Sequence, residues 1–156
     1  EKIDDKQSKK LYFRDIRNFG YMKFIHNKNE FNKTLNRWGP DILDKNTNLV
    51  IFKERIKKHL NKNITKVLMN QSIISGIGNY IKAEALYKSK ISPFRTMKSL
   101  TEDETELLFN SLKEIAESSY KLNGNTIRTY QNFEGVKGNY ESLLKVYMKK
   151  KRSIRK

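Results

Sequence analysis

The sequence predicts a mostly α-helical chain with a short N-terminal β-hairpin and a C-terminal strand, α+β overall. Three observations predict it. Apolar residues recur at helical spacing from about Glu30 to Gly124. Thr101 and Glu104, in "TEDE", form a capping box ahead of the longest such run. Apolar–polar alternation is confined to "LYFRDIRNFGYMKFI" near the start and "LLKVYM" near the end. The 156 residues are 37% hydrophobic, with eight Phe and eight Tyr, enough for a modest core.

Each element has its own signal. Residues 11–14 and 21–25 read as two short strands, which alone are marginal in water and so belong to a larger sheet. Phe31, Leu35 and Trp38 fall on one helical face, with Trp38 as a core plug and Gly39–Pro40 ending the helix. Phe52, Ile56 and Leu60 mark a second helix, capped by Asn48 or Thr47. A third covers residues 65–75 and stops at Gly76. A fourth covers residues 79–89, closed off by Ser92–Pro93. The long fifth helix carries Leu108, Leu112, Ile115, Ala116 and Tyr120, with Lys121 at its end and Gly124 as its stop. A loop follows, then the "LLKVYM" strand. Residues 145–156 hold seven Lys/Arg and no acid, a basic tail.

Composition narrows the function. Net charge is +16, an imbalance that costs self-repulsion and suits a polyanionic partner. No apolar run is long enough to span a bilayer, and no signal-peptide pattern is present. With no cysteine there is no disulfide framework and no Cys-ligated metal. No phosphate-loop, dinucleotide or metal-ligand spacing occurs, and no nucleophile–base set stands out. His26 and His59 are isolated in polar surroundings and read as surface residues.

Two features support nucleic-acid chemistry. In "NQSIISGIGNYIKAEAL", Gly76 and Gly78 precede a helix whose first N–H groups lack intrahelical partners. With the positive end of the helix dipole, those groups form a ready phosphate site. Glycines permit a sharp turn and close approach. Asn79 caps the helix or gives its amide to the phosphate, and Lys66 adds a charge. A tight interhelical turn with nothing bound remains the other reading. In "RDIRNFG", Arg17 and Phe19 alternate near a strand end, so a cation and a flat ring point the same way. A buried Phe beside a solvated Arg is the plainer alternative.

Taken together, these stretches resemble the formamidopyrimidine-DNA glycosylase/endonuclease VIII family of base-excision repair enzymes. "LYFRDIRNFG" resembles its N-terminal domain's strand-end signature, and "RWGPDIL" the linker into its helical domain. "NQSIISGIGNYIKAEALYKSKISPFRTMKSL" resembles its helix-two-turn-helix core. "GNTIRTYQNFEGVKGNYESLLKVYM" resembles the helix end, the lesion-capping loop and the entry to its C-terminal finger. The resemblance runs in order along nearly the whole chain. It implies three parts: the end of a β-sandwich domain over 1–29, a helix-two-turn-helix DNA-binding domain over 30–123, and a lesion-capping loop with a truncated or zincless finger over 124–156.

The resemblance also implies site residues. Lys66, Gly76, Gly78, Asn79, Arg128 and Tyr130 fall on phosphate-holding positions. Arg17 would face the orphaned base and Phe19 would wedge between base pairs. Asn132, Phe133, Glu134, Gly135, Val136, Lys137, Gly138, Asn139 and Tyr140 match the loop that closes over an oxidised purine such as 8-oxoguanine, which favours the formamidopyrimidine-type branch. The implied partner is damaged double-stranded DNA, bound by a monomer wherever DNA is, in cytoplasm, nucleoid or nucleus, with no membrane and no cofactor. Family chemistry starts when an N-terminal proline amine attacks the sugar C1′, assisted by a neighbouring glutamate. An iminium forms, and β,δ-elimination cuts the strand.

Departures qualify this. The family begins Pro-Glu and carries a catalytic lysine in an N-terminal hairpin. This chain begins Glu1–Lys2 and reaches "DIRNFG" at once, so most of that domain is expected to be missing and Glu1 does not stand for the family glutamate. The finger's first Cys position falls near Ile154, where the chain stops. Asn18 replaces the second Arg of the family's "RRFG". The expectation is a chain that binds DNA and is inactive alone, with no catalytic residue of its own. The alternative is a non-enzymatic helix-two-turn-helix protein, either RNA-binding like a ribosomal small-subunit protein or a decayed glycosylase paralogue. "DIRNFG" and "GVKGNY" argue against the ribosomal form.

Overall fold

The computed structural model describes residues 11–13, 15, 20–124 and 138–149. Among them it forms α1 (Lys28–Leu35), α2 (Leu49–Ile56), α3 (Ile64–Leu68), α4 (Asn79–Lys88) and α5 (Glu102–Lys121). Tight 3-10 turns lie at Lys57–His59, Met97–Ser99 and Tyr140–Leu143. Two compact units result, Glu1–Leu35 and Asn36–Lys156. No helix among the described residues is long and apolar enough to cross a membrane.

The first unit buries little. α1 has no buried residue, and Phe31 and Leu35 are half exposed. Lys23 Nζ donates to Glu30 Oε1 at 2.6 Å, tying the preceding segment to the helix. Neither strand expected in this stretch forms over the described residues 11–13 and 21–25. A strand needs a ladder partner on at least one side, and here the aromatic side chains lie open to solvent, Tyr21 at 86% exposure. Helix α1 ends at Leu35, before Trp38, so Gly39 and Pro40 do not stop it. Trp38 itself is 56% exposed and is not a core plug.

The second unit is built around α5, whose buried stripe of Leu108, Leu112, Ile115 and Ala116 recurs at helical spacing. α4 packs along it through Ile81, Ala85 and Leu86, and α2 meets it through Phe52, whose ring lies 5.4 Å from that of Phe109. Ile64, Val67 and Leu68 of α3 and Ile73, Ile74 and Ile77 of the following corner fill the same core. Local chemistry starts and stops these helices where expected in several places. Asn48 caps α2, its side chain accepting from Ile51 N. Thr101 and Glu104 form both halves of the capping box on α5. At the other end of α5, Asn123 takes the left-handed conformation and Gly124 N returns to Ser119 O at 2.8 Å, a Schellman closure. The stop therefore begins one residue earlier than Gly124.

Two elements depart from expectation. The third helix ends at Leu68, well short of 75. Polar side chains explain the break: Asn70 Oδ1 accepts from Ser72 N and Oγ, and Gln71 Nε2 donates to Ile77 O. These bonds offer the backbone an alternative to the helical ladder. The C-terminal strand is also absent among the described residues. The "LLKVYM" segment begins in a 3-10 turn, and its amides find a different acceptor. Lys145 N donates to one oxygen of Glu84 at 2.9 Å, and Val146 N and Tyr147 N donate to the other at 3.0 and 2.8 Å. Glu84 sits in the middle of α4 with only 4% exposure, so one buried carboxylate takes the place of a partner strand. Tyr140, Tyr147 and Tyr80 cluster beside it, with Tyr80 bonded to Ser119 Oγ at 2.7 Å. Burial first, then the charge of Glu84, pushes the Tyr140 phenol above its ordinary pKa.

Arg95 closes the turn ahead of α5. Its guanidinium grips Glu104 in a two-pronged pair at 2.6 and 2.8 Å and also reaches Ser99. The bond from Arg95, then that from the Thr101 amide, holds the Glu104 carboxyl at about 2, down from 4.5. A depressed carboxyl stabilises the folded state above its unfolded pKa and stops doing so as pH falls through its folded pKa. The stability gap between the wild-type chain and Glu104→Gln is therefore expected to be constant above about pH 4.5 and to shrink steadily toward pH 2. Melting temperatures of both proteins across that window check this. A gap that stays constant to the acid limit would remove Glu104 as the titrating group.

Candidate nucleic-acid interface

The corner between α3 and α4 is held from outside by the linker before α2. Gly39 N donates to Gln71 O at 2.8 Å, Ser75 N to Pro40 O at 2.9 Å, and Ile42 N to Ser75 O at 3.1 Å. These bonds form a short parallel bridge between Asp41 and Ser75. The backbones come so close that a Cβ on Gly39 would lie 2.4 Å from Ile73 O. Gln71 completes the corner from inside, accepting from Gly76 N at 2.9 Å while donating to Ile77 O at 2.8 Å. Its carboxamide thus spans the turn it sits in.

The two corner glycines have different reasons to be there. Gly76 has φ +86°, where an L side chain is strained, and a Cβ would also press on Asp41 and Ile42 at 3.2 Å. Gly78 has an ordinary extended backbone, φ −101° and ψ −178°, and a Cβ there would meet nothing within 4 Å. Nothing among the described residues demands glycine at that position.

Gly78 is the N-cap of α4 and has no side chain to cap it. The first internal bond of the helix runs from Lys82 N to Gly78 O at 3.0 Å, which leaves the amides ahead of it outside the ladder. Of the two roles read for Asn79, cap or amide donor, the first does not hold, because Asn79 is the first helical residue. Its Oδ1 accepts from Lys82 Nζ at 2.9 Å, so its amide N–H2 group stays available. Lys66 is exposed on α3 and pairs with no described carboxylate. The corner thus presents unbonded amides, an amide side chain and the positive end of a ten-residue helix.

The family model of the formamidopyrimidine-DNA glycosylase H2TH domain matches residues 38–131. The chain belongs to the formamidopyrimidine-DNA glycosylase family. A formamidopyrimidine-DNA glycosylase of Bacillus cereus is 36% identical over 141 residues, covering 90% of this chain and 51% of the relative. One of Prochlorococcus marinus is 34% identical over 155 residues, covering 97% of this chain and 53% of the relative. The chain spans about half the length of the curated relatives it matches. Among solved structures, MutM (Fpg) of Thermus thermophilus aligns with TM-score 0.67 at 30% identity, over 72% of this chain and 42% of that one. Lactococcus lactis Fpg in complex with abasic-site DNA aligns with TM-score 0.66 at 30% identity, over 76% and 43%.

Family membership favours the helix-two-turn-helix glycosylase reading over the ribosomal one. Of the site residues read from the sequence, Lys66, Gly76, Gly78 and Asn79 belong to α3, the corner and the start of α4. Arg17, Phe19, Arg128, Tyr130 and residues 132–137 of the capping loop lie outside the described residues. The described end of that loop is pinned: Asn139 N donates to Leu122 O and Tyr140 N to Gly124 O, at 3.0 and 3.2 Å. Tyr140 is buried and belongs to the core. His59 is half-buried, not a surface residue, and its Nδ1 has no partner among the described residues. The sequence has no cysteine, and no group of three or more His, Asp and Glu among the described residues could hold a metal ion.

Sequence reasoning missed Gly39, Gln71 and Glu84 as the residues that shape the site. Each acts on a partner distant in the chain or across a turn, and none carries a local signature of that partner. Gly39→Ala is expected to destabilise most, because the peptide at Ile73 has to move. Gly76→Ala is expected to cost about 1–2 kcal/mol from the left-handed backbone alone. Gly78→Ala is expected to cost less than about 1 kcal/mol, the preference of an N-cap for Gly over Ala. Urea melts of the three variants test the order; an equal cost at Gly76 and Gly78 would contradict it.

Proposed function

We propose that this chain supplies the DNA grip of an oxidised-purine DNA glycosylase/AP lyase, and that its partner is damaged duplex DNA. One observation carries the reading. Gly78 leaves open space over the uncapped N-terminus of α4, at a position where the fold itself does not require glycine. A backbone phosphate is the group that gains from that space, since the amides and dipole attract it and no Cβ stands in its way. The net charge of +16 supports the same partner. Lys66 supplies a point charge and Asn79 an amide donor to that phosphate group.

The remaining assignments rest on the family resemblance. Arg17 faces the orphaned base and Phe19 fills the gap in the stack. Arg128 and Tyr130 add phosphate contacts. The loop from Asn132, anchored at its far end by Tyr140 in the core, closes over the extruded base. Base excision in this reading follows the family chemistry, in which an N-terminal proline amine attacks the sugar C1′.

Fluorescence anisotropy on a duplex with an abasic site tests the grip. Lys66→Ala is expected to weaken binding whatever the sequence and to lower the salt slope by about one. Asn79→Ala and Gly78→Ala are expected to weaken binding with little change in slope, since neither removes a charge. Structured RNA is expected to compete poorly. Borohydride trapping on 8-oxoguanine or abasic DNA is expected to give no adduct. Wild-type affinity in all three variants would reduce the corner to a structural turn, and a trapped adduct would show a nucleophile that the reading lacks.

A further inference from the structure

A second cluster of cations lies on the other side of α3 in the chain. Lys57, Lys58 and His59 form a 3-10 turn that runs on through Leu60 to Lys62, and Lys98 reaches the same place from the turn before α5. Together they wall an open cavity of about 370 Å³.

The backbone there is stitched. Lys62 N donates to His59 O at 2.9 Å, Met97 N to Lys62 O at 3.1 Å, and Lys98 N to Leu60 O at 2.8 Å. Three carbonyls at this chain reversal are already bonded to amides, so the lysines are not needed to satisfy them. Lys57, Lys58, Lys62 and Lys98 are all exposed, and no acid lines the cavity. None of the four pairs with a described carboxylate; the ion pairs of the described residues use Lys23, Lys53, Lys88 and Arg95.

Like charges gathered around one cavity repel one another, and salt screens that repulsion only beyond a Debye length, about 8 Å at physiological salt. Two rigidly joined segments keep them together. An anion seated among them would relieve that repulsion, and lysine offers three rotatable donors on a point charge, which suits phosphate. The cavity is open, four of its seven lining residues are lysines, and none is an acid or a Phe, Tyr or Trp, so it suits a backbone phosphate better than an enclosed small molecule.

We propose that this cavity is a second phosphate site, taking a backbone phosphate of the bound nucleic acid outside the corner at Gly78. The proposal rests on the DNA-binding reading above. It is separate in its residues: none of the corner residues lines the cavity.

The test is the salt dependence of binding to a duplex with an abasic site, with Lys58→Ala/Lys98→Ala compared with the wild-type chain and with Lys45→Ala/Lys121→Ala. Lys45 and Lys121 are exposed and do not line the cavity, so the second pair controls for net charge. Thermal melting accompanies each protein, because the cavity side chains are solvent-facing and their loss should leave folding intact. The expected result is a slope lowered by about two in the cavity variant at unchanged melting temperature, and a much smaller change in the control. A wild-type slope in the cavity variant, or an equal fall in the control, overturns the second site while the corner's phosphate role stands. A wild-type chain that binds no duplex at any salt removes the DNA reading itself, and this site with it.

Discussion

The close approach of Gly39 to the Ile73 peptide is the constraint on which the site depends. It lets the linker lie against the corner and exchange backbone hydrogen bonds with Gln71 and Ser75. Those bonds fix where the corner turns, and the corner fixes where α4 starts. A side chain at residue 39 would hold the two backbones apart, and Ser75 and Ile42 would lose their partners. The apolar residues of the corner, Ile73, Ile74 and Ile77, would then have no fixed place in the core. A site made of helix-start amides is only as well positioned as its helix, so backbone packing here comes before charge.

α4 carries that positioning through to the other end of the chain. Its first turn lies open at Gly78, and its middle holds the amides of Lys145, Val146 and Tyr147 on Glu84. A buried carboxylate costs desolvation, and three amide bonds from one short segment offset it. The effect is to seat residues 145–147 on the helix that presents the proposed phosphate site. The bonds from Asn139 and Tyr140 to the end of α5 do the same for the described end of the capping loop. Two segments important to the family resemblance are thus anchored to the α4–α5 pair.

What could be read in the sequence follows from how far each signal reaches. The α5 capping box joins residues three apart, and Thr101 with Glu104 formed it in full. The apolar stripe on α5 likewise needs only its own periodicity. The third helix was read too long because Ile73 and Ile74 continue an apolar run, while the side chains of Asn70, Gln71 and Ser72 compete for the backbone. "LLKVYM" has the alternation of a strand, yet its amides go to a glutamate some sixty residues earlier, a partner that alternation cannot reveal. Trp38 sits beside the linker's tight approach and stays exposed, so aromatic character alone misplaced it. At the site, the sequence sets Gly76 and Gly78 side by side, and only backbone geometry separates Gly76, which the turn requires, from Gly78, which it does not.

The proposed DNA grip requires that phosphate meet the amides at the start of α4. Backbone amide NMR shifts of Asn79, Tyr80 and Ile81, followed while a duplex with an abasic site is titrated into the labelled chain, measure this directly. These amides are expected to move downfield together as the complex forms, and the movement is expected to be lost in Gly78→Val while the core resonances of α5 are kept. Tight binding that leaves the three amides unmoved would contradict this expectation and place the grip elsewhere on the chain.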